Sequence, residues 1–185
     1  TTLVDRILSS HSAVESLGEI QDFTLSLMRV TGAMPKAELI RGSAAVDARR
    51  IGEHYLAATA GYGRTATLLI DKTPLNFMYL GLIARGMPEA RIIHLKRHPM
   101  DVCYAMLKTL FRMAYPFSYS LDDLATYYVA YARLMTHWRQ ALPGRFIEVD
   151  YESLVANLDG EARRLVAYCG LAWEDSCLSF HTNPK

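Results

Sequence analysis

The spacing of apolar residues along the chain predicts helices that alternate with short strands. Leu3, Val4, Ile7 and Leu8 follow the spacing of one helix face, whereas short continuous apolar runs are typical of buried parallel strands. The pattern predicts strands over 67–70, 91–95 and 146–149. It predicts helices over 1–8, 21–30, 44–60 with Ser43 as N-cap, 76–85, 99–111, 121–141, 159–169 and 173–180. This alternation indicates an α/β fold with a central parallel sheet flanked by helices.

Charged residues follow each predicted strand at its carboxyl end, as Asp71-Lys72, Lys96-Arg97-His98 and Asp150-Tyr151-Glu152. Parallel strands place such ends along one edge of a sheet, where ligands bind in α/β folds. Cations there suit nucleotide phosphates, and a tyrosine ring suits the base. Thr1-Thr2 precedes the first helix, whose N-terminus also favours phosphate. The alternative is that these residues only solvate the strand ends and cap a helix.

Composition excludes several classes of protein. The chain has 185 residues, a formal net charge of +1 and 51% hydrophobic residues, which is typical of a globular domain. The near-neutral balance predicts no nucleic-acid partner, and no apolar run approaches the ~20 residues of a membrane span. The 3 cysteines are interpreted as reduced buried thiols, and no metal-ligand spacing links them to the histidines, so no metal is expected.

Further segments resemble a known family when they are taken in their order along the chain. They are 1–11 (TTLVDRILSSH), Gly18-Glu19, 71–76 (DKTPLN), 91–101 (RIIHLKRHPMD), 151–155 (YESLV) and 170–174 (GLAWE). Together they resemble the sulfotransferases that use 3′-phosphoadenosine 5′-phosphosulfate (PAPS), especially bacterial members related to tyrosylprotein sulfotransferases. The resemblance implies a three-layer, P-loop-like fold, a transferase without a metal, and a cytoplasmic location. It also implies one sulfotransferase domain over 1–185 that lacks the first strand and most of the 5′-phosphosulfate loop.

The resemblance assigns the donor-binding residues. Thr1 and Thr2 would hold the 5′-phosphate, and Lys72 would reach the bridging and sulfuryl oxygens. Arg97 would bind the 3′-phosphate, and Tyr151 would pack near the adenine. The family usually has a serine eight positions after this arginine, where this chain has Ala105. Loss of that hydrogen bond is expected to weaken donor binding by roughly ten- to a hundredfold.

The resemblance also assigns the base. Glu19 matches the glutamate that takes the acceptor proton in the tyrosylprotein enzymes, although a lone glutamate is usually a surface residue. Lys72 would be its catalytic partner, since it can stabilise charge on the leaving phosphate oxygen. His11 is a second candidate for the acceptor side, because cytosolic sulfotransferases use a histidine. Its position in the first helical segment favours a structural role or a polar contact.

The acceptor side rests on an aromatic loop that contains Tyr115, Phe117 and Tyr119, which are interpreted either as an acceptor wall or as packed core. The acceptor would be a hydroxyl or phenol of a small molecule, a glycan or a peptide tyrosine, and the oligomeric state is left open. Two alternatives to the enzyme are a catalytically silent nucleotide-binding module and a nucleotide kinase-like protein. The absence of a Walker-type Gly-Lys-Ser/Thr motif from the sequence disfavours the second.

Overall fold

Short strands alternate with helices throughout residues 1–32, 35–62, 66–111 and 115–182, which the computed structural model describes. The strands are β1 (Val14–Ser16), β2 (Leu68–Ile70), β3 (Ile92–Lys96) and β4 (Phe146–Asp150). The helices are α1 (Thr2–Ser9), α2 (Asp22–Thr31), α3 (Lys36–Ser43), α4 (Ala48–Ala60), α5 (Leu80–Gly86), α6 (Pro99–Lys108), α7 (Leu121–Ala141), α8 (Tyr151–Ala156) and α9 (Leu158–Tyr168). The fold class is therefore α/β, as the alternating pattern predicts.

The chain forms two compact units, each with one pair of parallel strands. The first unit comprises residues 1–91 and 159–185, and the second comprises residues 92–158. In the first unit β1 pairs with β2, so that Val14 lies opposite Leu68 and Ser16 opposite Ile70. In the second unit β3 pairs with β4, so that Lys96 lies opposite Asp150. The prediction of parallel strands is confirmed within each unit.

Each unit has its own buried residues, and helices cover its strands. In the first unit α4 packs against α2 and α5. The α4–α5 contact requires glycine, because a Cβ on Gly52 would lie 2.3 Å from the carbonyl oxygen of Gly86. The fully buried large side chains of this unit include Ile7, Leu27, Ile51 and Leu165. Those of the second unit include Leu124, Met135, Val149 and Leu154.

Several predicted boundaries are wrong, and the reasons are local. The N-cap of α4 is Asp47, whose side chain accepts a hydrogen bond from the Arg49 amide at 3.0 Å, and not Ser43, which ends α3. The segment after β2 begins as a 3₁₀ turn over Pro74–Tyr79, and 3₁₀ turns over Asp175–Cys177 and Phe180–Thr182 replace the helix predicted over 173–180. Strand β1 and helix α8 were missed because they are too short to show a period.

Other predictions are confirmed. Helix α7 spans residues 121–141 as predicted, and the Ser120 hydroxyl accepts a hydrogen bond from the Asp123 amide at its start. All three cysteines are free thiols, but the prediction that they are buried is wrong for Cys103 and Cys169, which are half-buried. Among the described residues, none of the helices has the length and apolar character needed to cross a bilayer.

Candidate functional site

The ends of β1 and β2 form the first candidate region. The Leu17 amide donates to the Ile70 carbonyl at 2.9 Å, and the Lys72 amide donates to the Gly18 carbonyl at 2.9 Å. The segments that follow β1 and β2 therefore remain hydrogen-bonded beyond the strands. Gly18 has a φ of +70°, a left-handed conformation that glycine adopts at little cost. The turn at Gly18 therefore keeps Glu19 beside the residues that follow β2.

Glu19 and Lys72 form an ion pair in this region. Lys72 Nζ donates to Glu19 Oε1 at 2.7 Å, which is the length expected of a charge-assisted hydrogen bond. The Lys72 side chain is 17% exposed and the Glu19 side chain 54% exposed. The lysine is thus mostly enclosed while the carboxylate remains open to solvent, so this pair presents both a general-base candidate and an ammonium group.

Asp71 fixes the segment that carries Lys72. Its carboxylate accepts hydrogen bonds from the Thr73 amide at 3.0 Å and from the Tyr55 hydroxyl at 3.2 Å. The Thr73 hydroxyl in turn donates to the Ile20 carbonyl at 2.7 Å, next to Glu19. Burial, followed by the charge of Asp71, raises the pKa of Tyr55 well above its ordinary value, so this phenol stays protonated and donates. These bonds orient the backbone on both sides of the ion pair.

Thr1 and Thr2 lie at the start of α1, and both are exposed. The Thr1 carbonyl accepts the Asp5 amide at 3.0 Å as the first hydrogen bond of the helix, and the Thr1 side chain does not cap it. The N-terminal amides of α1 therefore do not donate a capping hydrogen bond to that hydroxyl. This arrangement is compatible with an anion, although it does not by itself define a binding site.

His11 is buried, and both of its ring nitrogens contact the backbone. Nδ1 accepts the Ala13 amide at 3.0 Å, so Nε2 carries the proton and donates to the Ala172 carbonyl at 2.8 Å. The adjacent Ser12 amide donates to Glu174 at 2.8 Å. These contacts attach the segment after α1 to the C-terminal segment, which is the structural arrangement favoured for His11 by its sequence position.

The second unit places Arg97 and Tyr151 together after β3 and β4. The guanidinium carbon of Arg97 lies 5.0 Å from the centroid of the Tyr151 ring, which is a cation–π contact. Arg97 Nε also lies 4.0 Å from the carboxylate of Asp101, one turn along α6. Lys96 Nζ lies 3.1 Å from Asp150, directly opposite it in the parallel pair. Two residues assigned to the same nucleotide are therefore neighbours, although 54 positions separate them.

A polar network lies behind these strand ends. Glu148 on β4 accepts two hydrogen bonds from Arg139 on α7, at 3.1 Å and 2.8 Å, and one from His94 Nδ1 on β3 at 2.9 Å. The bonds from Arg139, followed by the bond from His94, hold the pKa of Glu148 at about 2. The second nitrogen of His94 pairs with the Tyr131 hydroxyl, and burial lowers the pKa of His94. His94 is thus a fully bonded core histidine, as its place inside a strand predicts.

The predicted acceptor residues lie between α6 and α7 in the second unit. The Phe117 ring stacks on Tyr127 at 3.9 Å, and the Tyr115 ring meets Phe117 edge-on at 5.9 Å and Phe111 at 5.0 Å. Tyr119 is 48% exposed. Tyr115 and Phe117 therefore belong to a packed ring cluster whose members are half-buried, whereas Tyr119 presents its ring to solvent.

Within each unit, the structure brings together one pair of the predicted residues, Glu19 with Lys72 and Arg97 with Tyr151. Sequence reasoning noted Asp71 at a strand end but missed its supporting role, and it missed Glu148 and Arg139. The pairing of Asp71 with Tyr55 and of Glu148 with Arg139 follows from tertiary packing, and neither has a short-range spacing that would reveal it. The Gly18-Glu19 turn did carry a signal, since a glycine next to a short strand often marks a left-handed residue.

Lys72, Arg97 and Tyr151 all follow parallel strands of an α/β fold, which is where ligands bind in proteins of this fold class. Residues 1–175 match the Sulfotransferase family, and the chain belongs to that family. The chain is 31% identical over its whole length to an uncharacterized protein of Aquifex aeolicus, and it spans 26% of that protein. It is 30% identical, over 60% of its length, to the omega-hydroxy-beta-dihydromenaquinone-9 sulfotransferases of Mycobacterium bovis and Mycobacterium tuberculosis, of which it spans 30%.

A solved structure has a similar fold. The sulfotransferase domain from the curacin biosynthetic pathway superposes with a TM-score of 0.67 over 98% of this chain and 74% of that domain, at 17% identity. This likeness confirms the expected P-loop-like α/β fold and shows the fold alone. The chain spans about a third or less of the curated relatives it matches.

Proposed function

We propose that this chain transfers a sulfuryl group from PAPS to a hydroxyl or phenol acceptor. The observation that carries the proposal is the contact between Glu19 and Lys72, at 2.7 Å. These are the two residues that the family resemblance assigns to catalysis, and 53 positions of sequence separate them. The contact supports the proposal because it places the proposed base beside the lysine proposed to bind the donor.

The chemistry of the residues present fits this donor. Lys72 and Arg97 are cations, as binding of a sulfated and twice phosphorylated nucleotide requires. The donor would supply a sulfuryl group attached to a phosphate leaving group. A bond forms between the sulfur and the acceptor oxygen as the bond between the sulfur and the bridging phosphate oxygen breaks. The acceptor proton goes to the base, and adenosine 3′,5′-bisphosphate is the second product.

Glu19 would remove that proton. Its carboxylate is 54% exposed and therefore accessible to an acceptor hydroxyl, and a positioned base contributes typically ~10²–10⁴-fold to the rate. Lys72 would stabilise charge on the leaving oxygen, an electrostatic contribution that requires no metal. Asp71 acts through the backbone, because its bonds to Thr73 and Tyr55 hold the segment on which Lys72 stands.

The remaining donor contacts follow the family assignment. Thr1 and Thr2 of the first unit would hold the 5′-phosphate with their hydroxyl and amide groups. Arg97 of the second unit would bind the 3′-phosphate, and Tyr151 would pack near the adenine. The cation–π contact supports a shared role for this second pair, because it holds the Arg97 guanidinium beside the Tyr151 ring.

The acceptor is proposed to carry a hydroxyl group on an apolar or aromatic body. Tyr115, Phe117 and Tyr119 would form its wall, whereas His11 is assigned a structural role because both of its ring nitrogens are bonded to the backbone. The name of the mycobacterial relatives supports this class, since it describes a hydroxylated compound as their acceptor. Of the three aromatic residues, Tyr119 is best placed to meet a ligand because it is 48% exposed.

Ala105 favours one alternative, a nucleotide-binding module without activity. Its methyl group cannot donate the hydrogen bond that the family's usual serine would give to the 3′-phosphate. A module of this kind would bind adenosine 3′,5′-bisphosphate weakly and transfer nothing.

Turnover with isotopically labelled donor tests the proposal. The purified protein is incubated with donor and a panel of alcohols, phenols and tyrosine peptides, with and without a metal chelator, and products are identified by mass spectrometry. We expect chelator-resistant transfer that Lys72→Ala abolishes. Donor binding without transfer or donor hydrolysis above background would contradict the enzyme and leave the silent module. Magnesium-dependent binding of ATP would favour the kinase-like alternative.

A further inference from the structure

One hydrogen bond joins the turn after β3 to the start of α8. The backbone amide of His98 donates to Oε1 of Glu152 at 2.9 Å, across 54 positions of sequence. His98 is the N-cap residue of α6, and its side chain makes no capping bond there. The carboxylate that serves this helix start thus comes from a different element.

The position of this bond relates it to the proposed 3′-phosphate contact. His98 directly follows Arg97, and Glu152 directly follows Tyr151. The bond therefore joins the neighbours of the two residues whose side chains meet at 5.0 Å. On the other side of Arg97 and Tyr151, Lys96 contacts Asp150 at 3.1 Å. Arg97 and Tyr151 therefore lie between two contacts that join the β3 and β4 segments. The Lys96–Asp150 contact joins two side chains, whereas the Glu152 contact binds the backbone of the turn.

We propose that Glu152 is a positioning residue that fixes the Arg97 turn against Tyr151 and so orients the guanidinium for a 3′-phosphate. The inference rests on the proposed function and deepens it, because it adds a residue that acts on the nucleotide through another. Glu152 would not contact the nucleotide itself. As an anion near a phosphate it would weaken binding by repulsion, so a favourable effect of Glu152 requires that its bond to His98 outweighs its charge.

Two substitutions of Glu152 separate the effect of its hydrogen-bond acceptor from the effect of its negative charge. Glu152→Gln keeps an oxygen that can accept the His98 amide and removes the negative charge, whereas Glu152→Ala removes both. Isothermal titration of adenosine 3′,5′-bisphosphate and of adenosine 5′-phosphate then gives four affinities to compare with the wild type. We expect Glu152→Ala to weaken the bisphosphate about three- to tenfold and the 5′-phosphate by less than about twofold. Glu152→Gln should retain wild-type affinity or exceed it.

Hydrogen exchange of the His98 amide gives a second readout that needs no ligand. Exchange should be about five- to tenfold faster in Glu152→Ala and close to wild type in Glu152→Gln, because only the alanine leaves the amide without its acceptor. Unchanged exchange in Glu152→Ala, equal weakening of both nucleotides, or tighter bisphosphate binding by Glu152→Ala would each overturn the positioning role. A wild-type protein that does not prefer the bisphosphate over the 5′-phosphate would instead refute the 3′-phosphate assignment of Arg97, whatever the exchange data show.

Discussion

Lys72 donates a hydrogen bond to Glu19 at 2.7 Å, so the proposed base and the proposed donor-binding cation neutralise each other in the structure. The two residues are also proposed to serve different partners, since Glu19 faces the acceptor and Lys72 the sulfuryl group. Neither residue can keep its hydrogen bond to the other at full strength while it also binds its own partner. Substitution of one member must therefore change how the other binds, which gives the first prediction its sign.

Glu19→Gln is expected to lower turnover by roughly 10²–10⁴-fold, because the amide cannot take the acceptor proton. Affinity for adenosine 3′,5′-bisphosphate should stay the same or rise, because the Glu19 carboxylate no longer competes with the nucleotide for Lys72. Steady-state kinetics and isothermal titration measure the two effects. Glu53→Gln on the exposed side of α4 is the matched control and should change neither quantity. A collapse of nucleotide affinity in Glu19→Gln would show that Glu19 is structural.

Arg97→Ala is expected to weaken binding of adenosine 3′,5′-bisphosphate about ten- to a hundredfold, because a charged hydrogen bond to the 3′-phosphate is lost. Binding of adenosine 5′-phosphate should fall by less than about threefold, since that ligand lacks the group. Arg133→Ala, on the exposed side of α7, is the control for loss of one positive charge in the same unit. Similar losses for both ligands would remove the 3′-phosphate assignment.

Ala105→Ser tests the departure from the family pattern. Ala105 lies one turn beyond Asp101 on α6, and the Asp101 carboxylate lies 4.0 Å from Arg97 Nε, so a serine hydroxyl at position 105 would be on the same helix face as Asp101. We expect the serine to strengthen binding of adenosine 3′,5′-bisphosphate by about tenfold and to leave adenosine 5′-phosphate unaffected. No change for either nucleotide would mean that Ala105 does not face the phosphate.

The fold was predictable where the chemical pattern is local. Short apolar-rich runs identified β2, β3 and β4, although most residues of these strands are only half-buried. Ser120 and Asp123 identified the start of α7 because an N-cap is a short-range hydrogen bond. Strand β1 has three residues, too few for any period, and its pairing with β2 is settled by contacts across the first unit. The Asp47 cap is just as local, but Ser43 was chosen in its place because serine and aspartate are both favoured N-cap residues.

The candidate site was predictable as a set of residues and less so as a set of contacts. Strand ends gave Lys72, Arg97 and Tyr151, because parallel topology places such ends at one edge of each strand pair. Glu19 came from the family resemblance. That Lys72 would pair with Glu19, and that Glu152 would bind the His98 amide, depends on the register of paired strands and on turn geometry. Neither is encoded in the spacing of the residues.

Acid is expected to destabilise the second unit through Glu148 and His94. The pKa of Glu148 is held at about 2 by Arg139 and His94, below its ordinary 4.5, so its stabilising effect is complete above about pH 4.5 and is lost as the pH falls towards 2. Burial lowers the pKa of His94 from its ordinary 6.5 in the folded protein. As the pH drops below 6.5, His94 is protonated in the unfolded chain before it is protonated in the folded protein, so the free energy of unfolding falls. Both groups act in the same direction.

Arg139→Met should therefore reduce stability at neutral pH and flatten its dependence on acid. Without Arg139, the carboxylate of Glu148 loses two of its three hydrogen bonds described above, its pKa rises towards the ordinary value, and less stability remains to be lost between about pH 4.5 and 2. We expect a loss of about 0.5–1 kcal/mol at pH 7, because the Arg139 side chain is 42% exposed and solvent screens the pair, and Tm should fall by about 2–4 °C for each kcal/mol at this chain length. Thermal unfolding at a series of pH values measures both effects, with Arg133→Met as the control for one arginine of the same helix. Equal pH dependence in Arg139→Met and the wild type would show that the ion pair with Glu148 does not set the acid sensitivity.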